Sequence, residues 1–140
     1  MIVVGNSDWR GAFRDGAGSI STTTDTLQSP YTFASRFEGA PGAIPEELLA
    51  AGHAGCFNHA LANISNQNGL TVESVHTSVE VTMGTDDHGP AITGIHVLTE
   101  AKIPGATEEK FQEMAEGARA WCSFSKAIAA PITMTATFSK

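Results

Sequence analysis

From residue 74 onward the chain alternates with a period of two. Val75, Thr77, Val79, Val81 and Met83 share one face and His76, Ser78, Glu80 and Thr82 the other, which predicts a half-buried strand. Asp86-Asp87-His88-Gly89-Pro90 has turn chemistry, and beyond it Ile95, Val97, Ala101 and Ile103 stand opposite His96, Glu100 and Lys102. A hairpin is expected. After Thr107-Glu108-Glu109 the period becomes helical: Phe111, Ala115, Ala118 and Cys122 follow at steps of four, three and four, behind a threonine cap and first-turn acids. A short helical turn is expected over 125–129. Ile132, Met134, Ala136 and Phe138 then alternate with threonines in a last strand.

Upstream, Pro45-Glu46-Glu47 places proline at a first helical position and acids where they complement the helix dipole. The apolar stripe runs through Leu49, Cys56, Ala60 and Ile64, widened by Leu48, Phe57 and Leu61, until Gly69 offers a C-terminal cap. This predicts a helix of about 24 residues, or roughly 36 Å. Ala50, Ala51, Gly52, Ala54 and Gly55 give it little bulk, which suggests a central helix packed closely against another backbone. Before it, Gly16-Ala17-Gly18-Ser19-Ile20-Ser21-Thr22-Thr23-Thr24 suits a strand with a glycine-permitted bend. A second short strand is expected around Tyr31 to Phe37. Strands before, between and after helices indicate an α+β fold with a largely antiparallel sheet, in a single domain over 1–140.

Composition narrows the function classes. The chain has 140 residues, 15 acidic against 8 basic, a net charge of −7 and 41% hydrophobic residues, enough for one self-sufficient core. Scattered cations on an acidic chain offer no footprint for a phosphate backbone, so nucleic acid is not an expected partner. Apolar runs fall far short of the roughly 20 residues that cross a bilayer, and the N-terminus lacks the basic and apolar regions of a secretory signal. A cytoplasmic location without membrane association is the expectation. In that reducing compartment the two cysteines are free, catalytic or metal-bound rather than a permanent crosslink.

Cys56 and Cys122 lie 66 positions apart, but each falls on the apolar stripe of its own predicted helix, so packing those helices would bring the thiols together. Both could be small buried hydrophobes; the sharper reading is a redox pair. Cys56 sits about three turns inside its helix, beyond the reach of the dipole. A thiol of pKa about 8.5 is roughly 3% ionised at pH 7, so full ionisation gains at most about 30-fold, near 2 kcal/mol. A cation that also stabilises the departing oxygen would add more. Arg36, in Ser35-Arg36-Phe37-Glu38-Gly39, is the best candidate, with Glu46 as its orienting partner. The plain alternative is a surface ion pair of about 0–1 kcal/mol.

These residues carry a resemblance. Arg36-Phe37-Glu38-Gly39, then Pro45-Glu46-Glu47-Leu48-Leu49-Ala50-Ala51-Gly52-His53-Ala54-Gly55-Cys56-Phe57, then Cys122 and Ser125, resemble the OsmC/Ohr family of organic hydroperoxide reductases, and its OsmC branch above all. The likeness extends from Trp9-Arg10-Gly11 and Gly16-Ala17-Gly18 to the terminal strand. It implies a thiol-dependent peroxidase built as an intertwined homodimer, with long central helices enclosed by sheets from both chains. By position, Cys56 becomes the attacking thiol, Cys122 the resolving thiol, and Arg36 and Glu46 the pair that orients the peroxide. The family also implies a dithiol reductant such as a dihydrolipoyl group, and no cofactor. One departure stands out: the family usually has proline after its second cysteine, whereas this chain reads Trp121-Cys122-Ser123. Ser123 would leave the following helical turn less constrained, and Trp121 would reshape the pocket.

Two rival readings remain. His53, Cys56 and His59 could be written as metal ligands with Cys122 or Glu46, but steps of three carry them through about 200° of helix, away from a common centre. His53 is expected instead in a helix–sheet contact with a satisfied ring, and His76, His88 and His96 in solvent. Alternatively, Phe33, Phe37, Phe57, Trp121 and Phe124 could line a small-ligand site without turnover.

Overall fold

The computed structural model describes residues 1–139 and divides into two compact units, Met1–Leu48 and the remainder from Leu49. In the first, β1 (Gly5–Arg10), β2 (Ala17–Thr22) and β3 (Gln28–Thr32) form an antiparallel sheet in that order. Gly18 lies opposite both Trp9 and Tyr31, whose rings meet over it at 5.2 Å. A Cβ there would stand 2.6 Å from the Tyr31 ring, so the aromatic contact requires glycine.

The strand expected over 31–37 ends at Thr32. Residues 33–37 are helical instead, as α1 (Phe33–Phe37), because Thr32 and Ser35 form a capping box. The Ser35 amide donates to Thr32 Oγ1 at 3.0 Å and the Thr32 amide to Ser35 Oγ at 2.9 Å. These bonds satisfy donors that a strand would have left to a ladder. Strand β1 had no expectation in the sequence, since Gly5-Asn6-Ser7-Asp8-Trp9-Arg10 has no period-two pattern and all six residues are exposed.

Helix α2 (Pro45–Gln67) begins at the expected proline and runs through the unit boundary. It ends where Gly69 turns to φ +71° and the Leu70 amide donates to the Ser65 carbonyl at 2.9 Å. Its buried stripe is His53, Phe57, Ala60, Leu61 and Ser65: Phe57, Ala60 and Leu61 are as expected, Leu49 and Ile64 are partly buried against the core, and His53 and Ser65 join the stripe unannounced. Cys56 is half-buried at the margin of that stripe.

In the second unit, β4 (Ser74–Asp86) and β5 (Gly89–Lys102) form the expected hairpin, with His88 donating its amide to Asp86 Oδ1 across the turn at 2.7 Å. A bulge follows Thr82, where the pairing steps from Gly94 to Ile92. Strand β6 (Ile132–Ser139) adds to β5 in parallel, so the sheet order is β4-β5-β6 with one antiparallel and one parallel pair. Helix α3 (Glu108–Trp121) is capped by Thr107, and α4 (Ser123–Ala127) follows directly, two residues earlier than expected. Phe57, Ala60 and Leu61 of α2, Ile95, Val97 and Ala101 of β5, Ile103, and Phe111, Met114, Ala115 and Ala118 of α3 form one buried core. A polar link joins helix to sheet: Thr77 Oγ1 donates to Asn58 Oδ1 at 2.6 Å and shares a hydrogen bond with Thr99 Oγ1 at 2.8 Å. Among the described residues no helix is long and apolar enough to cross a membrane.

Candidate active site

Cys122 is the residue at which α3 ends and α4 begins. Its φ of −57° and ψ of 130° break the helix, so the chain turns over the flank of α2. Its amide still donates to the Ala118 carbonyl at 3.0 Å, and its carbonyl accepts from Lys126 at 3.2 Å. The thiol is thus held on backbone bonded on both sides, and its side chain is buried. Cys56 arrives from α2, and the two sulfurs are 2.7 Å apart, with both thiols free.

Beside them Ser123 Oγ lies 3.4 Å from Cys56 Sγ. Burial pushes the Cys56 thiol up, but hydrogen bonds from Cys122, the Ser123 hydroxyl and the backbone of Phe124 and Ser123 more than offset it, leaving Cys56 below its ordinary value. Burial pushes the Cys122 thiol up as well, and there the hydrogen bond to Cys56 acts in the same sense, leaving Cys122 above its ordinary value. Of the two, Cys56 is therefore the thiol that ionises more readily. The sequence pointed to a cation as the activating group; the residues after Cys122 supply local hydrogen bonds that no spacing announced.

The sulfurs face a cleft of about 400 Å³ lined by Cys56, His59, Ala60, Trp121, Cys122, Ser123 and Lys126. Cys56 has access to it, and the Trp121 ring is largely exposed on its wall. A larger cleft of about 480 Å³ between Lys102–Glu108 and Phe138–Ser139 contains no thiol.

His53 has a different place from the expected one. It is fully buried one turn before Cys56, its ring stacked on Phe124 at 6.0 Å and its Nε2 3.0 Å from Ser125 Oγ. Among the described residues Nδ1 has no partner, so the ring is only half satisfied, and burial lowers its pKa. His59 is exposed while His53 points inward, so the two do not share a centre with Cys56. His96 is not simply solvated: both ring nitrogens meet threonines, Thr133 at 2.7 Å and Thr135 at 3.0 Å.

In the first unit Arg36 is clamped by Glu46. Its Nε lies 3.2 Å from each carboxylate oxygen, and Nη2 donates to Oε1. Burial pushes the Glu46 carboxyl up, but the bonds from Arg36 and from its own backbone, with the cation's charge, bring it below its ordinary value. The hydrogen bond to Glu46 holds the Arg36 guanidinium protonated. This two-pronged geometry orients the guanidinium far better than a single contact would. Arg36 also borders a pocket of about 250 Å³ with Trp9, Phe13, Tyr31, Thr32, Phe33 and Phe37. Of the aromatics expected at a site, Phe33 and Phe37 belong to this pocket, Trp121 to the thiol cleft, and Phe57 to the core.

Residues 38–137 match the family model described as "OsmC-like protein". The chain is 38% identical over 131 residues to Peroxiredoxin OsmC of Escherichia coli (strain K12), covering 93% of this chain and 92% of that one. It is 31% identical over 90 residues to the organic hydroperoxide resistance protein OhrB of Bacillus subtilis (strain 168), covering 64% and 65%. The crystal structure of OhrB aligns with a TM-score of 0.69 at 23% identity over 97% of this chain and 98% of that one. An OsmC-like protein from Mycoplasma pneumoniae aligns at 0.78 with 16% identity, over 100% and 99%, which shows a common fold. With a family model spanning most of its length and a close relative aligned almost end to end, this chain belongs to the OsmC family.

Proposed function

We infer that this chain, a cysteine-based peroxidase, reduces organic hydroperoxides to alcohols through Cys56 and Cys122. The observation that carries the reading is the 2.7 Å approach of Cys56, the more readily ionised thiol, to Cys122 at an open cleft. The Cys56 thiolate attacks the outer peroxide oxygen, the O–O bond breaks, and the alkoxide takes a proton and leaves as alcohol. Cys56 is left as a sulfenic acid. Cys122 then attacks that sulfur; the S–S bond forms, the S–O bond breaks, and the hydroxyl leaves as water with the proton Cys122 gives up. A dithiol, such as a dihydrolipoyl group, returns both cysteines to thiols and is itself oxidised to a disulfide.

Arg36, steadied by Glu46, is assigned the orientation of the peroxide and the stabilisation of charge on its departing oxygen. The whole chain is taken to act as one OsmC-like domain in the cytoplasm, and two features support its pairing as a homodimer. Among the described residues of the first unit the only buried apolar side chain is Ala43, while Val4, Trp9, Phe13 and Phe37 are exposed. On α2, Ala51 and Gly55 are exposed, with open space where a Gly55 side chain would stand. Surfaces of this kind call for a second protein surface.

The deciding experiment follows consumption of cumene hydroperoxide or tert-butyl hydroperoxide with a dithiol. The Cys56→Ser protein is expected to lose the activity; consumption at the parent's rate would refute peroxidase chemistry at Cys56.

A further inference from the structure

The hydroxyl beside the Cys56 sulfur has no role in the mechanism above. Cys122 Sγ donates to Cys56 Sγ, which places sulfur 56 on the accepting side. A thiolate has no proton to give, so the serine oxygen 3.4 Å away must be the donor once Cys56 ionises. The serine is well placed for this: it is the first residue of α4, whose backbone is fixed by the bonds from Lys126 to Cys122 and from Ile128 to Phe124.

We propose that Ser123 is a catalytic residue, its hydroxyl donating a hydrogen bond to the Cys56 thiolate and holding that sulfur toward the cleft for attack on the peroxide. The proposal rests on the reading of Cys56 as the attacking thiol. The hydroxyl forms no covalent bond and keeps its proton; its work is to stabilise negative charge on sulfur until that charge passes to the departing oxygen. Other groups about Cys56 that can titrate or carry charge are Cys122, with His59 and Lys126 on the cleft and the buried His53 one turn back on α2. All four are common to the parent and to variants at position 123.

The test compares the parent with Ser123→Ala and Ser123→Thr. Alkylation of Cys56 by iodoacetamide is read by mass spectrometry from pH 5 to pH 10, alongside single-turnover oxidation by cumene hydroperoxide. If the lost bond changes ionisation about tenfold, the surviving thiolate is about threefold more nucleophilic, because nucleophilicity rises with basicity at roughly half slope. Ser123→Ala is then expected to react about threefold to fourfold more slowly than the parent near pH 6 and about threefold faster near pH 10, so the profiles cross. Its oxidation by peroxide near pH 6 slows in step, and Ser123→Thr restores the parent profile. Superimposed profiles, a uniform slowing at every pH, or failure of threonine to restore the profile would overturn the proposal. These outcomes are distinct from failure of the peroxidase reading, which is decided by hydroperoxide consumption in Cys56→Ser.

Discussion

Replacing Gly52 by alanine probes how far the reactive sulfur depends on the segment packed over α2. A Cβ at position 52 would stand 2.8 Å from Phe124 Cζ and 3.0 Å from Cε1, where ordinary contact begins at 3.4 Å, so the ring must withdraw by about 0.6 Å. The Phe124 ring is not free to swing alone. It stacks on His53, and His53 Nε2 is bonded to the neighbouring Ser125, so withdrawal carries the first turn of α4 with it. Ser123 is adjacent, and its contact with Cys56 is already 3.4 Å long, so a shift of that size weakens it substantially. In energy, alanine gains up to about 1 kcal/mol of helix propensity, while overpacking costs about 1–3 kcal/mol. The net expectation is a loss of about 0–2 kcal/mol, up to several degrees in Tm for a chain of this size. Oxidation of Cys56 by cumene hydroperoxide is expected to slow about twofold to tenfold. Thermal unfolding by circular dichroism and single-turnover thiol loss measure the two effects. A Gly52→Ala protein more stable than the parent, with Cys56 oxidised at the parent's rate, would refute the coupling between α2 packing and the sulfur.

With Cys122→Ser, one equivalent of hydroperoxide should still oxidise Cys56 to a sulfenic acid trapped by dimedone, but turnover with a dithiol should fall at least tenfold; full turnover would remove Cys122 from the cycle. Arg36→Ala should lower peroxide reactivity by about 10²–10³-fold. Its stability should fall by no more than about 1 kcal/mol, since the pair is partly exposed. That small stability difference has a defined pH sign. Glu46 is held below its ordinary value of 4.5, so its contribution is complete above that pH and is lost as pH falls through the lowered value. Denaturant titrations of parent and variant should therefore converge toward acid; a gap that widens below pH 4 would contradict the ion pair. Ala51→Arg, placing a charge on the exposed small-residue face of α2, should convert a dimer to monomer by light scattering, and an unchanged mass would exclude that face as the interface.

Periodicity and punctuation determined much of this fold without help. Alternation in 75–83 and 95–103, the proline and acids at 45–47, the threonine cap at 107 and the glycine at 69 are local signals, and local backbone chemistry is sufficient to read them. That Cys56 meets Cys122 and Arg36 meets Glu46 was also legible, the thiols from the apolar stripes of their two helices and the ion pair from its place at the start of the long one. The helix over 33–37 was missed for a local reason, the capping box between Thr32 and Ser35, which a pattern of apolar residues does not encode. Tertiary structure alone decided the rest. The choice of His53 over Leu49 for the buried stripe depended on what Phe124 and Ser125 bring to that face, 71 and 72 positions later. The surroundings of Cys56 likewise come from 122–124, where the helix break at Cys122 aims a thiol and a hydroxyl at one sulfur. Contacts between residues so distant in sequence arise only when the chain has folded, because hydrogen bonding at sulfur is set by ångström-scale placement rather than by residue order.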